Sequence, residues 1–241
     1  MTSDAQGGGV ELRLRLAAET VPLDRIAYAE LAIVAVGGAA TVSARLNLIE
    51  GDLDMQITGP DGHIARATWP WPVDSAPRSI ELAAGERLVA AVPLVAEGSE
   101  PLFPVPGRYE VVARFAVRPG ETLASNTEVL VRTAAEDAAR AADLRDRDVV
   151  QSLLGAGVIG AAEPALERLA ESEDTGTAVA ARLALSRTDA FAEDAADPAV
   201  SRAVAALLPP GATGRDERRD AVASRAPTRD AAMLNGRPVG E

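Results

Sequence analysis

The chain has 241 residues, with 36 acidic side chains against 24 basic ones, every one of the latter arginine, for a net charge of −12; it has no cysteine and one histidine, His63. Lacking cysteine it can form no disulfide framework, thiolate zinc site, iron–sulfur cluster or thiol nucleophile, and lacking lysine it can form no Schiff base or P-loop. One histidine builds no multi-histidine metal site, and the acidity argues against nucleic acid or a membrane surface as partner, so neither cofactor nor metal is expected.

Residues 1–8 are polar and glycine-rich and read as a flexible N-terminus, with no basic and apolar stretch of the secretory kind. From residue 9 to 132 the dominant period is two. Val10, Leu12, Leu14 and Leu16 alternate with Glu11, Arg13 and Arg15, which in a strand separates aliphatic from charged faces. The pattern returns at Val42, Ala44, Leu46 and Leu48, and again at Leu53, Met55 and Ile57, where Gly59-Pro60-Asp61-Gly62 then supplies a type I turn. It recurs at Leu88–Leu94 and at Tyr109–Val117, and residues 27–35 and 123–132 read as two more strands. About seven short strands separated by turns predict an antiparallel β-sandwich.

Within this stretch, Pro106-Gly107-Arg108-Tyr109-Glu110-Val111 followed by Ser125-Asn126-Thr127 resembles the last two strands of immunoglobulin-like domains. That resemblance is one of fold alone. It implies that the Tyr109 hydroxyl bonds back to nearby backbone, and the missing cysteine pair excludes the antibody branch.

Beyond residue 132 the composition turns to alanine and charge, and the period becomes helical. Residues 133–208 form an expected small α-helical region, with helices over 135–154, 164–171, 177–186 and 198–208. Pro164 and Pro198 fall where a first helical turn tolerates a missing N–H. Residues 209–241, with six arginines, two adjacent prolines and few large apolar groups, read as a disordered tail. The expected architecture is therefore multidomain, β then α: an immunoglobulin-like sandwich, a helical region and a tail.

Four features invite a chemical reading. Gly155-Ala156-Gly157-Val158-Ile159-Gly160 spells the dinucleotide fingerprint, but it follows a helical run and lacks a second strand ending in an acid, so a helix-ending loop is expected. Glu50, Asp52 and Asp54 alternate along one face at about 6.5–7 Å, too far apart to share a calcium ion but suited to meeting a basic partner. Trp69 and Trp71, separated by proline, form either a stacking platform for a sugar or peptide or a cover for the end of the sandwich. His63 follows a turn and reads as solvated, with no nucleophile elbow to serve.

These features predict a non-enzymatic interaction or scaffolding module of the bacterial cytoplasm that binds a protein partner. Its contacts are expected through a sheet edge, the acidic row Glu50/Asp52/Asp54, the Trp69/Trp71 segment or the helices. A carbohydrate- or peptide-binding domain built on the tryptophans is the second expectation, and a nucleotide-binding or hydrolytic enzyme the third.

Overall fold

The computed structural model describes residues 8–185 except 49, 70–75, 99 and 156, together with 228–230, 233–234 and 237–238. It is β-rich and then helical. The first sheet has the order β1 (Gly9–Leu16), β3 (Ala27–Val36), β8 (Arg87–Leu94), β14 (Thr228–Asp230), every neighbouring pair antiparallel. The second has the order β2 (Thr20–Pro22), β13 (Glu128–Thr133), β11 (Gly107–Arg118), β5 (Leu53–Thr58), β6 (Ile64–Ala67), with β12 (Glu121–Ala124) also paired to β11. In this sheet β2 and β13 run parallel, and the other pairs are antiparallel. Separate antiparallel pairs join β4 (Ala40–Ser43) to β7 (Ser79–Leu82) and β9 (Ala96–Glu97) to β10 (Glu100–Pro101).

The two sheets enclose one apolar core. Leu12, Leu14 and Leu16 of β1 enter it with Leu31 and Ile33 of β3, and Met55, Val111, Phe115 and Leu130 enter from the second sheet. These are the period-two positions, for a pleated strand sends alternate side chains to opposite faces. Asn126 stitches the sheets together: its Oδ1 accepts from the Leu14 N–H at 2.9 Å and its Nδ2 donates to the Leu14 carbonyl at 3.0 Å. The Tyr109 hydroxyl donates to the Val105 carbonyl at 2.7 Å, and its ring packs edge-on against Phe103.

Three strand expectations change in detail. The strand expected from Val42 to Leu48 stops at Ser43, because the Ser43 hydroxyl accepts the Arg45 N–H at 3.1 Å and the Arg45 carbonyl accepts the Asn47 N–H, which turns the chain. Residues 123–132 divide into β12 and β13, since Ser125 and Asn126 spend their side chains on the backbones of Ala113 and Leu14. The tail expected to be disordered carries three short strands, β14, β15 (Met233–Leu234) and β16 (Arg237–Pro238), the first of them in the main sheet through backbone pairing with β8.

The helical region has four described helices: α1 (Ala138–Asp143), α2 (Arg147–Gly155), α3 (Glu163–Ala170) and α4 (Thr175–Ala184). The single helix expected over 135–154 divides in two because acids at both starts act as caps. Asp137 Oδ1 accepts the N–H groups of Ala139 and Arg140, and Asp146 Oδ1 accepts those of Asp148 and Val149. Asp174 does the same for α4 through the Thr177 N–H at 2.8 Å, which sets its start two residues before the expected position. Pro164 lies in the first turn of α3, as its sequence requires. The helix expected over 198–208 lies outside the described residues.

These helices do not form a separate body. Their apolar stripes, Val149 and Leu153, Leu166 and Leu169, Val179 and Ala180, close a second core whose other wall is Tyr28 and Ala91 of the first sheet with Ile26 just before β3. Two hydrogen bonds fix the contact: the Tyr28 hydroxyl donates to the Gly176 carbonyl at 3.0 Å, and the Ile26 N–H donates to Thr177 Oγ1 at 2.9 Å. A bidentate pair, Arg168 with Asp143 at 2.6 and 2.9 Å, ties α3 to α1.

Two consequences are measurable in urea. Leu166, fully buried in the second core, should cost about 2–5 kcal/mol on truncation to alanine, and amide exchange should rise at Tyr28 and Ala91 as well as in the helices. Tyr109→Phe should cost about 1 kcal/mol, the net value of one hydrogen bond, while the ring contact with Phe103 keeps the fold and the slope of the transition unchanged.

Candidate functional site

β8 reads Arg-Leu-Val-Ala-Ala-Val-Pro-Leu and is buried at every position after Arg87. Its inward residues Leu88, Ala90, Val92 and Leu94 fill the first core, and Ala91 on the other face meets the helices. Along its edge away from β3, the backbone accepts a strand from the far end of the chain, with Thr228 opposite Val89, Arg229 opposite Leu88 and Asp230 opposite Arg87. A strand edge carries unpaired N–H and C=O groups that any extended segment can satisfy, so this edge has the chemistry of a docking groove for a strand.

The acidic row does not present itself as free charge. Asp52 accepts the Ser43 hydroxyl at 2.7 Å and pairs with Arg45 at 2.6 Å; Glu50 pairs with Arg78 at 2.8 Å and accepts from the Asn47 amide. Arg45 also donates to the Glu50 carbonyl, and Asp54 accepts from Gln56 Nε2. The alternation was legible, but the arginines that neutralise it come from turns and loops that sequence spacing does not align. Arg45, Arg78 and Asp52 line a cavity of about 500 Å³ between the β4–β7 pair and the turn after Arg118. Arg118 on its rim is in turn paired with Glu121.

Trp69 is half-buried and packs against both helical clusters, beside Val95. It therefore docks helices to sheet, the covering role, and half of the expected stacking pair is spent inside the molecule. Trp71 lies outside the described residues. His63 is exposed, its backbone N–H donating to Asp61 in a turn closed by the Gly62 N–H to the Gly59 carbonyl.

The glycine-rich run joins helix to helix, as its sequence context predicted. The Ile159 N–H donates to Ser152 Oγ, and Gly160 has a positive φ of 56° and lies so close to Asp148 that a Cβ there would stand 2.1 Å from the carboxylate. A carboxylate in that position repels a pyrophosphate, so the loop is built for α2–α3 packing. Among the described residues, no group of three or more histidine, cysteine, aspartate or glutamate side chains is placed to hold a metal ion, and no helix is long and apolar enough to cross a membrane.

Sequence reasoning passed over Arg132. It sits in β13 on the same face as the core residue Leu130 and is only 4 % exposed. Its Nη2 donates to the Arg25 carbonyl at 2.9 Å, and its guanidinium lies over the Phe103 ring at 4.9 Å. The signal was there: period two places residue 132 with Leu130, so an inward arginine at a strand end was predictable.

No protein-family model matches the chain, and no curated protein matches it. Among solved structures, the sporulation control protein Spo0M of Bacillus subtilis matches at 14 % identity over 53 % of this chain and 50 % of its own, with a TM-score of 0.34. The alkylpurine DNA glycosylase AlkC of Pseudomonas fluorescens, bound to DNA with an abasic site analogue, matches at 14 % identity over 53 % and 31 %, TM-score 0.32. A β-glucosidase of Listeria innocua in complex with glucose matches at 16 % identity over 53 % and 16 %, TM-score 0.31. The chain thus spans about half or less of each of these three proteins.

The Arg45–Asp52 contact is partly buried, with side chains 14 % and 21 % exposed. Asp52→Asn, which strips the charge partner from Arg45 and keeps the shape, should cost roughly 1–3 kcal/mol, read from thermal melts. Arg66→Gln, opposite Asp54 on the exposed side at 3.9 Å, should cost less than about 0.5 kcal/mol.

Proposed function

We infer that the protein is a non-enzymatic interaction module of the cytoplasm and that it recognises an extended segment of a protein partner by adding it as a strand to the β8 edge. The observation that carries this reading is the pairing of Thr228–Asp230 with Arg87–Val89: the edge takes up a segment remote in sequence through backbone bonds. Main-chain pairing supplies affinity without a specific pocket, and the tail then acts as an occupant in cis that a partner's strand must displace. The paired acids and the packed Trp69 favour this edge over the other expected surfaces.

The sheet region itself is best described as immunoglobulin-like. Three features support that reading: a first sheet of β1, β3 and β8, a second with β11 between β5 and β13, and a tyrosine at the start of β11 bonding back four residues to Val105. Val111, fully buried two residues after Tyr109, stands where antibody domains place a cysteine.

The test uses the whole chain. Thr228→Pro removes the β14 backbone donor that faces Val89, so amide exchange at Val89 should quicken. A labelled peptide carrying residues 225–234 should then bind the variant at least about tenfold more tightly than wild type, in fluorescence anisotropy, because the cis competitor is gone. Equal binding to both proteins, or none to either, would remove the β8 edge as the recognition site.

A further inference from the structure

We propose that a cavity at the seam between the sheets and the helical region binds one small monovalent anion, a halide or a carboxylate of formate or acetate size, held by Arg132. The cavity measures about 30 Å³ and is walled by Leu23, Arg25, Phe103 and Arg132 from the sheet side and by Leu144 and Arg145 from the turn between α1 and α2. It is far too small for a nucleotide or a sugar, whose sites run to about 300–1,000 Å³, and suits an occupant of one to a few atoms.

The chemistry of the walls selects negative charge. Arg132 is 4 % exposed, and its Nε and Nη1 are buried with no hydrogen-bond partner among the described residues. It forms no ion pair there, its only hydrogen bond being to the neutral carbonyl of Arg25. A buried guanidinium with no carboxylate hydrogen-bonded to it is costly, and the face of Phe103 with the through-space pull of Asp24 and Asp174 offsets only part of that cost. Arg145 joins it on the helical side, donating to the Pro104 carbonyl at 3.1 Å and likewise without an ion pair among the described residues. Arg25 also lines the cavity but is paired with the exposed Glu136, so it adds little net charge. The nearest fixed carboxylates do not supply the contact. Asp24, buried, accepts the Glu136 N–H, and Asp24 and Asp174 reach Arg132 only through space. Burial draws the Arg132 guanidinium down to about 10, which still leaves it charged at neutral pH.

An anion between Arg132 and Arg145 would touch β13 on one side and the α1–α2 turn on the other. It would therefore stabilise the docking of the helices, and its binding would be read as stability. Although Leu94 at the end of β8 also lines the cavity, the β14 pairing is confined to Arg87–Val89, so this site and the β8 edge are tested separately, and this test involves no peptide.

The experiment melts the full chain in sodium gluconate at fixed ionic strength, replacing gluconate stepwise by chloride in one series and by acetate in another. Stabilisation that rises with the logarithm of anion concentration, reaching about 5–10 °C at a hundredfold excess over Kd, is expected in at least one series, and that series names the anion. Chloride-35 line broadening, competed by bromide, should report the same Kd if the halide is bound. Arg132→Met should abolish the logarithmic response. Because that variant alters a buried position, Arg145→Gln on the helical rim is the second probe, expected to raise Kd at least fivefold with an unchanged circular dichroism spectrum. A response that is flat or linear in both series, or the same in wild type and Arg145→Gln, would overturn the assignment.

Discussion

The first sheet is apolar on its core face and, along β8 and the start of β3, on its other face as well, and the rest of the molecule is arranged around that constraint. Along β3 the residues Ala27, Ala29, Leu31, Ile33 and Ala35 face the sandwich core, while Tyr28 points the other way and is equally buried. β8 is buried on both sides from Leu88 to Leu94. An antiparallel sheet with one face in water alternates apolar with polar residues, whereas a sheet that is covered twice reads as a continuous apolar run. The helices are the second cover. Their burial against Ile26, Tyr28 and Ala91 would leave an apolar patch exposed if they were removed, so β and α parts are energetically one unit.

Polar groups caught at this seam are handled in two different ways. The Tyr28 hydroxyl finds the Gly176 carbonyl and Ile26 finds Thr177, so burial, which pushes the phenol's ionisation far up, leaves it a neutral and satisfied donor. Arg132 is different in kind, because its charge cannot be given up at neutral pH. A phenol in a core is ordinary structure; a guanidinium with spare donors in a small cavity points to a ligand. Both lie where strands meet helices, so the most functionally suggestive group of the core sits at the join of the two parts.

The same economy governs the surface. The acids that look like a recognition stripe along residues 50–54 are held by arginines from the preceding turn and from the loop just before β7, which consumes them internally. The β8 edge has only backbone to offer, and backbone is what a strand recognises. An acidic chain whose tail is its one arginine-richer segment can place that tail against the sheet by main-chain pairing, with attraction between opposite charges assisting the approach.

Sequence alone determined the elements whose information is local. Alternation of two marked β1, β5, β8 and β11, because a strand's faces are set by its own pleat. Pro-Gly before Tyr109 marked the tyrosine that bonds back to Val105, and the glycine run was recognisable as a loop because a helix precedes it. Where each strand stops was less legible, since Ser43, Asn126, Asp137 and Asp146 end or begin elements through side-chain bonds to particular backbone groups. What only the tertiary structure decided were facts about pairs far apart in the chain: that Trp69 covers the seam, that Arg45 neutralises Asp52, that the tail meets β8, and that Arg132 shares a cavity with Arg145. The 36 acids and 24 arginines fix the net charge whatever the fold. Which of them are paired, and which are left facing a cavity, depends on distances that exist only once the chain is folded.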